Sequence, residues 1–238
     1  MAMQPLTSYQ DFVDRVNELG FLPMSGLAPG LPSLGDLTPG GSWHTGDPDT
    51  DPWQWKDRAA REKKLAYGCI LNGQKGFVSS NLYAAFYTVF HPPESMPVRW
   101  TEGTVDRDTW ALWNLFEKQE VVNTFEAHRL MAGSPSGSSS APGSARVDSR
   151  LQALQAAYYI TGAGNARKVS RAGQEYGWPA MRYQRVLDWA PEGWLSDAPG
   201  MRVNEAWEII LDAGLAISAA AGTRLERKDL ARALGRNL

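Results

Sequence analysis

The stretch between Asp108 and Ser170 restricts the fold of this 238-residue chain more than any other. Trp110, Leu112, Trp113, Leu115 and Phe116 make one apolar helix, and Thr124, Ala127 and Leu130 mark a second, shorter one. Val147, Leu151, Leu154 and Gln155 continue the spacing in a third, from Val147 to Ala157. Apolar residues three and four apart share a helix face, so each segment has one side to bury. A β-like run, Tyr158-Tyr159-Ile160-Thr161, follows; Gly162 to Asn165 is turn-like, and Ala166 to Ser170 can pair back. Three helices and then a hairpin is the order of a winged helix, whose third helix usually enters the major groove while the wing lies on the backbone or minor groove.

Arg146, Arg150 and Gln152 then fall on or beside the third helix, Asn165, Arg167 and Lys168 at the wing tip, and Arg171 beside the wing. All of these but Asn165, six cationic and amide residues, are the expected DNA contacts. From Arg146 to Arg185 the bases are Arg146, Arg150, Arg167, Lys168, Arg171, Arg182 and Arg185, and the acids are Asp148 and Glu175. The stretch from Arg224 to Arg236 is basic too, whereas acids gather at Asp47, Asp49 and Asp51 and from Asp106 to Glu126. A net charge of −2 excludes a surface that grips nucleic acid all round, but not a local face. Solvated surface charge is the alternative.

Upstream, Phe12, Val13, Val16 and Leu19 share a helix face between Ser8, a cap, and Gly20, a stop. Phe21 to Pro52 is rich in Pro and Gly and reads as ordered turns packed on the body. Asp51-Pro52 opens a helix expected to run through Trp53, Trp55 and Ala59 toward Leu65 and to stop near Gly68. Two β-like runs, Cys69-Ile70-Leu71 and Gly76-Phe77-Val78, flank Asn72-Gly73, a strong hairpin signal. A helix from Leu82 to Phe90 ends at His91-Pro92-Pro93. Gly133 to Ser144 is a Gly/Ser/Pro tract of flexible composition. Downstream, Val203 to about Leu215 and Arg227 to Leu234 are helical, separated by a small-residue run from Ala213 to Gly222. The fold class is therefore α+β and mainly helical, with short β-hairpins. The expected division is a unit over 1–100, a winged-helix domain over 105–185 with an insert at 133–146, and a helical segment over 186–238. No sequence repeat of fixed period is present.

No apolar run reaches the roughly 18 residues of a membrane helix, and Met1 to Asp14 is not a secretory leader. The one cysteine, Cys69, sits in an apolar β-like run and reads as a buried structural thiol. It fits a reducing compartment, so a cytoplasmic location is expected.

The chemistry-bearing residues give no catalytic set. Asp47, Asp49 and Asp51 beside His44 imitate the opening of a calcium loop, but Pro52 and Arg58 stand where its glycine and closing acid belong. They read as turn and cap residues. There is no Cys/His cluster for zinc, no Gly-x-Ser-x-Gly, and Gly162-Ala163-Gly164 lacks the context of a phosphate loop. His44, His91 and His128 lie in separate segments, and Asp57, Glu62 and Glu175 are isolated carboxylates. No metal or cofactor is called for. Ten tryptophans is a high count; Trp43, Trp53 and Trp55 fall together, as do Trp178, Trp189 and Trp194. Such rings can stack on unpaired bases or fill a loop-rich core.

Several strings carry a family resemblance: Asn17 to Pro23, Trp43 to Trp53, Trp55 to Glu62, Tyr67-Gly68, Lys75 to Ser79, Leu151 to Ile160, and Tyr176-Gly177-Trp178-Pro179. Together, from about Tyr9 to Trp207, they resemble the bacterial AlkZ-related proteins, a family that looks like a divergent relative of the AlkZ and YcaQ winged-helix DNA glycosylases. The resemblance implies tandem winged-helix-like units. It also implies a Gln-x-Gln or Gln-x-Asp motif in the N-terminal unit to position water. The nearest counterpart, Phe21-Leu22-Pro23-Met24, holds neither amide nor acid, and Gln152 and Gln155 stand in the third helix of the second unit. No catalytic residue carries over. Three readings follow: a double-stranded DNA binder without enzymatic activity, a glycosylase for alkylated or crosslinked bases with a relocated catalytic set, and a protein-interaction module.

Overall fold

The computed structural model describes residues 3–132 and 144–236; the Gly/Ser/Pro tract, apart from Ser144, lies outside the described residues. Helix α1 (Tyr9–Leu19), strand β1 (Phe21–Pro23), helices α2 (Leu34–Leu37) and α3 (Pro52–Arg61), and strands β2 (Ala66–Leu71) and β3 (Gln74–Val78) form a first unit. Its antiparallel sheet has the order β1-β3-β2, with Phe21 opposite Val78 and Tyr67 opposite Phe77. Helices α4 (Ser80–Phe90) and α5 (Met96–Thr101) lead to a second unit: α6 (Arg107–Lys118), β4 (Val122–Asn123), α7 (Thr124–Ala132), α8 (Ser144–Ala156), β5 (Ile160–Val169) and β6 (Glu175–Arg185). Its sheet order is β4-β6-β5. The chain closes with α9 (Val186–Trp189), α10 (Val203–Ala221) and α11 (Arg227–Ala233). Helix–strand–helix–helix–strand–strand therefore occurs twice, each time with the first strand paired to the last.

Local chemistry sets many of these boundaries. Ser8 Oγ accepts the N–H of Asp11 at the start of α1, and Gly20, at φ 90°, ends it beneath Leu82, which leaves no room for a Cβ there. Asp51 caps α3 by accepting the N–H of Trp53, with Pro52 in the first turn. Asn72 and Gly73, at φ 50° and 81°, both occupy the left-handed region that a two-residue hairpin turn demands.

Three elements differ from the sequence expectation, each for a tertiary reason. Helix α3 stops at Arg61, because Lys63 turns left-handed at φ 55° and the buried Ala66 and Tyr67 already belong to strand β2. The segment Gly162 to Asn165 is not a turn but part of β5; the reversal falls at Ser170, whose N–H donates to Gln174 O at 2.8 Å. The two glycines are there for clearance. A Cβ on Gly162 would lie 2.5 Å from the Tyr67 carbonyl oxygen, and one on Gly164, at φ 98°, 3.1 Å from Arg61 Cβ. They let β5 press against β2 and α3 at a bulged stretch of the ladder. Finally, α10 runs on through the small-residue run to Ala221, because α11 packs close across it: a Cβ on Gly214 would overlap Leu230.

Two local cores flank a shared one. Phe12, Trp55, Tyr67 and Phe77 fill the first unit, and Leu112, Trp113, Phe116, Leu151 and Tyr183 the second. The third draws Phe21 and Ile70 from the first unit, Tyr158 and Ala163 from the second, Trp189 from α9 and Trp207 and Ile210 from α10. A core assembled from all parts of the chain holds the two units in one body.

Candidate functional site

The third helix of the first unit runs along a seam with the second unit. Helix α3 packs on β5, and the contact is polar at its centre. Lys56 Nζ lies 2.5 Å from Asp57 Oδ2, and Asn165 Nδ2 donates to the same oxygen at 2.7 Å. Both charged side chains are buried, at 7% and 6% exposure. The Lys56 ammonium also sits 4.3 Å from the centre of the Trp53 ring. Next to this seam the Trp189 indole N–H donates to Ala60 O at 3.1 Å. Asp57, an isolated carboxylate in the sequence, is thus consumed by structure. So is Glu62, which accepts from the Tyr9 hydroxyl and Arg58; burial, with the hydrogen bond to Glu62 and its negative charge, pushes the Tyr9 phenol well above its usual range.

The acidic turn is structural as well. Asp51 is fully buried and accepts three backbone N–H groups, from His44, Gly46 and Trp53. Asp49 O accepts from Tyr9 N–H and from the Trp55 indole. No group of three His, Cys, Asp or Glu side chains suited to a metal ion occurs among the described residues.

Helix α8 faces a cleft between the units, about 700 Å³ in volume, closed on its other side by the β2–β3 hairpin and by Met24 and Ser25. Gln155 and Gln152 both reach across it. Gln155 Oε1 accepts Cys69 N–H at 3.0 Å, and Gln152 Nε2 donates to Gly73 O at 2.8 Å. Gly68 leaves the space that Gln155 needs: a Cβ there would lie 2.5 Å from Oε1. Burial raises the Cys69 thiol pKa and pushes the Tyr183 phenol up to about 12, so neither group at the cleft ionises near neutral pH. Met24 and Ser25 follow directly on β1, an edge strand where Pro23 is tolerated.

The six expected DNA contacts fall into two sets. On α8, Arg146 lies 3.8 Å from Asp108 and Arg150 3.3 Å from Asp106, both acids belonging to the start of α6. The Arg150 contact is an ion pair by distance without hydrogen-bond alignment, since its Nε has no hydrogen-bond partner. Gln152 is spent on Gly73 as described. On the β5–β6 hairpin, Arg167, Lys168 and Arg171 are exposed and make no ion pair among the described residues; Lys168 Nζ stands 4.8 Å from the Phe125 ring. The two sets are therefore brought to one unit, but only the hairpin set is uncommitted.

The sequence reading missed a second recess beside that hairpin. His44, Trp53, Arg167 and Trp178 line a pocket of about 430 Å³. Trp178 does not join Trp189 and Trp194, which stack edge to face at 5.4 Å in the shared core; it is 84% exposed on β6. The signal available was Gly177-Trp178-Pro179, a glycine and a proline bracketing a large ring inside a strand.

With this architecture in place, the family model described as AlkZ related matches residues 6–231. The chain belongs to the AlkZ-related family. No curated protein and no solved structure matches this AlkZ-related chain. Among its described residues, no helix is long and apolar enough to cross a membrane.

Proposed function

We propose that this AlkZ-related protein is a tandem winged-helix protein that binds double-stranded DNA through the β5–β6 hairpin and the exposed edge of α8. It is related to the DNA glycosylases but acts without their catalytic motif. The observation that carries the reading is the trio Arg167, Lys168 and Arg171, three exposed cations on one hairpin with no carboxylate partner among the described residues. Uncommitted cations on a wing are free to neutralise phosphates, which is the sequence-independent source of DNA affinity. Arg146 and Arg150 are secondary in this reading. Their pairs with Asp108 and Asp106 are solvent-accessible and weak, so a phosphate can replace either carboxylate.

Fluorescence-anisotropy titration of a labelled duplex at several salt concentrations tests the proposal. Binding should weaken steeply with salt. Converting Arg167, Lys168 and Arg171 together to glutamine should flatten the log–log slope by about 3, given about 0.9 per phosphate contact. Arg146→Gln should change it by less than one contact's worth. A duplex that does not bind at low salt, or a triple variant that keeps the wild-type slope, removes the reading.

One observation favours a glycosylase as the second reading. The inter-unit cleft is large enough for a nucleoside and is lined by Thr124, Asp148, Gln152 and Tyr183. Incubation with alkylated duplex DNA, followed by strand scission at abasic sites, decides it. Asp148→Asn should then abolish base release; no release from any alkylated substrate by the wild type disposes of the idea.

A further inference from the structure

The pocket beside the second hairpin is built around an exposed tryptophan, and the backbone is shaped to present it. Lys168 pairs with Tyr176 and Ala166 with Ala180, so β6 carries two more residues than β5 between these pairs. The surplus is the Gly177-Trp178-Pro179 bulge, opposite Arg167. Gly177 adopts φ 77°, a conformation that a side chain would strain, and Pro179 fixes the following turn of the backbone. Bulges re-aim side chains, and this one sends an indole outward at 84% exposure. A ring that size gains nothing for the fold by standing in water.

The opposite wall is equally fixed. The Asp51 carboxylate holds the loop by accepting the N–H groups of His44, Gly46 and Trp53, and His44 is kept at φ 62°. The His44 and Trp53 rings lie 4.9 Å apart, and Lys56 packs on Trp53 from within. Aromatic side chains from the loop and α3 on one side and from β6 on the other thus line one recess of about 430 Å³, together with Arg167. A cationic ligand does not suit it. The one carboxylate in the lining, Asp51, is buried and fully occupied by backbone donors, and Arg167 repels positive charge. A flat ring carrying an anion suits both features: the ring between the indoles, the anion on the guanidinium.

We propose that Trp178 and Trp53 form a stacking site for one unpaired nucleobase, whose phosphate is held by Arg167. The inference rests on the nucleic-acid reading above and adds to it a preference for a strand with an unstacked base over an intact duplex. Base–aromatic stacking tolerates any base, so no sequence preference is required of the pocket.

The test is anisotropy of a labelled short oligothymidylate and of a blunt duplex, each titrated with wild type, Trp178→Ala, Trp178→Phe and Arg167→Gln protein. Trp178→Ala should weaken oligothymidylate binding on the order of tenfold, with an unchanged salt slope and unchanged duplex affinity. Trp178→Phe should retain most of the affinity. Arg167→Gln should weaken both ligands and flatten both slopes. Because Trp178 is solvent-exposed, its loss should leave the thermal midpoint where it was, and that measurement guards against a folding defect. Equal oligothymidylate affinity in wild type and Trp178→Ala overturns the stacking site even if the duplex binds as expected. Oligothymidylate binding lost in Trp178→Ala while the duplex fails to bind wild type upholds the stacking site and removes the duplex reading. Binding of neither probe by wild type overturns both.

Discussion

Asp57→Ala is expected to cost about 3–5 kcal/mol of stability, the range for removing one member of a buried ion pair. The side chain is not needed for volume; it is needed because Lys56, 7% exposed, has no other carboxylate within ion-pair distance among the described residues. Deleting the acid strands the ammonium against Trp53 and also deprives the Asn165 amide of its acceptor. For a chain of this length such a loss lowers the melting temperature on the order of 10 °C, readable by circular dichroism. Asp57→Asn should fall between, since it keeps a polar group beside Asn165 but loses the charge. Lys56→Met combined with Asp57→Leu should recover much of the loss, because an apolar pair of similar volume avoids the desolvation cost. An Asp57→Ala midpoint within a degree or two of wild type would show that the pair is hydrated in solution.

That pair also marks where sequence reading stops. Elements whose cause is local were legible: Ser8 and Gly20 bound α1, Asp51-Pro52 opens α3, and Asn72-Gly73 closes the first hairpin, each by a preference that acts within a few residues. Gly162 and Gly164 were not legible. Glycine signals a turn as readily as a close approach, and only the position of Tyr67 and Arg61 across the seam distinguishes them. Strand β5 runs through both, and the hairpin turns only at Ser170 to Gln174. The site divides in the same way. The cations of the hairpin were visible as a local excess of charge, but the acids that engage Arg146 and Arg150 sit at the start of α6, a contact no spacing rule reaches. Likewise Gln152 reads as an exposed helix amide until the first unit's turn is placed against it. Trp178 and Trp189 look alike in the sequence; one is the most exposed large apolar side chain among the described residues, sent outward by a bulge in the ladder, and the other is almost fully buried in the shared core.

Trp189→Ala carries the other large effect, about 3–5 kcal/mol for truncating a buried indole to a methyl. At 1% exposure it packs edge to face on Trp194, lies 6.1 Å from Tyr83, and donates its N–H to Ala60 O on α3. The substitution therefore opens a cavity in the shared core and removes the indole hydrogen bond to Ala60 O, which keeps the longer one from Lys63 N–H at 3.3 Å. Trp189→Phe separates the two contributions, since it keeps most of the apolar volume and loses the hydrogen bond, about 0.5–1.5 kcal/mol. Asp57 and Ala60 share one helix, so Trp189 and Asp57 fasten the same seam from two points. If the seam opens as a unit, Trp189→Ala and Asp57→Ala combined should cost less than their sum by more than about 0.5 kcal/mol, and amides of α3 and β5 should exchange hydrogen faster in either variant than those of α10. Additive costs with exchange unchanged in α3 would mean the two contacts are independent. A coupled seam has a functional consequence. The Trp53 wall of the aromatic recess rides on α3 and the Trp178 wall on β6, so loosening the seam should weaken binding of an unpaired base without touching any residue that contacts it.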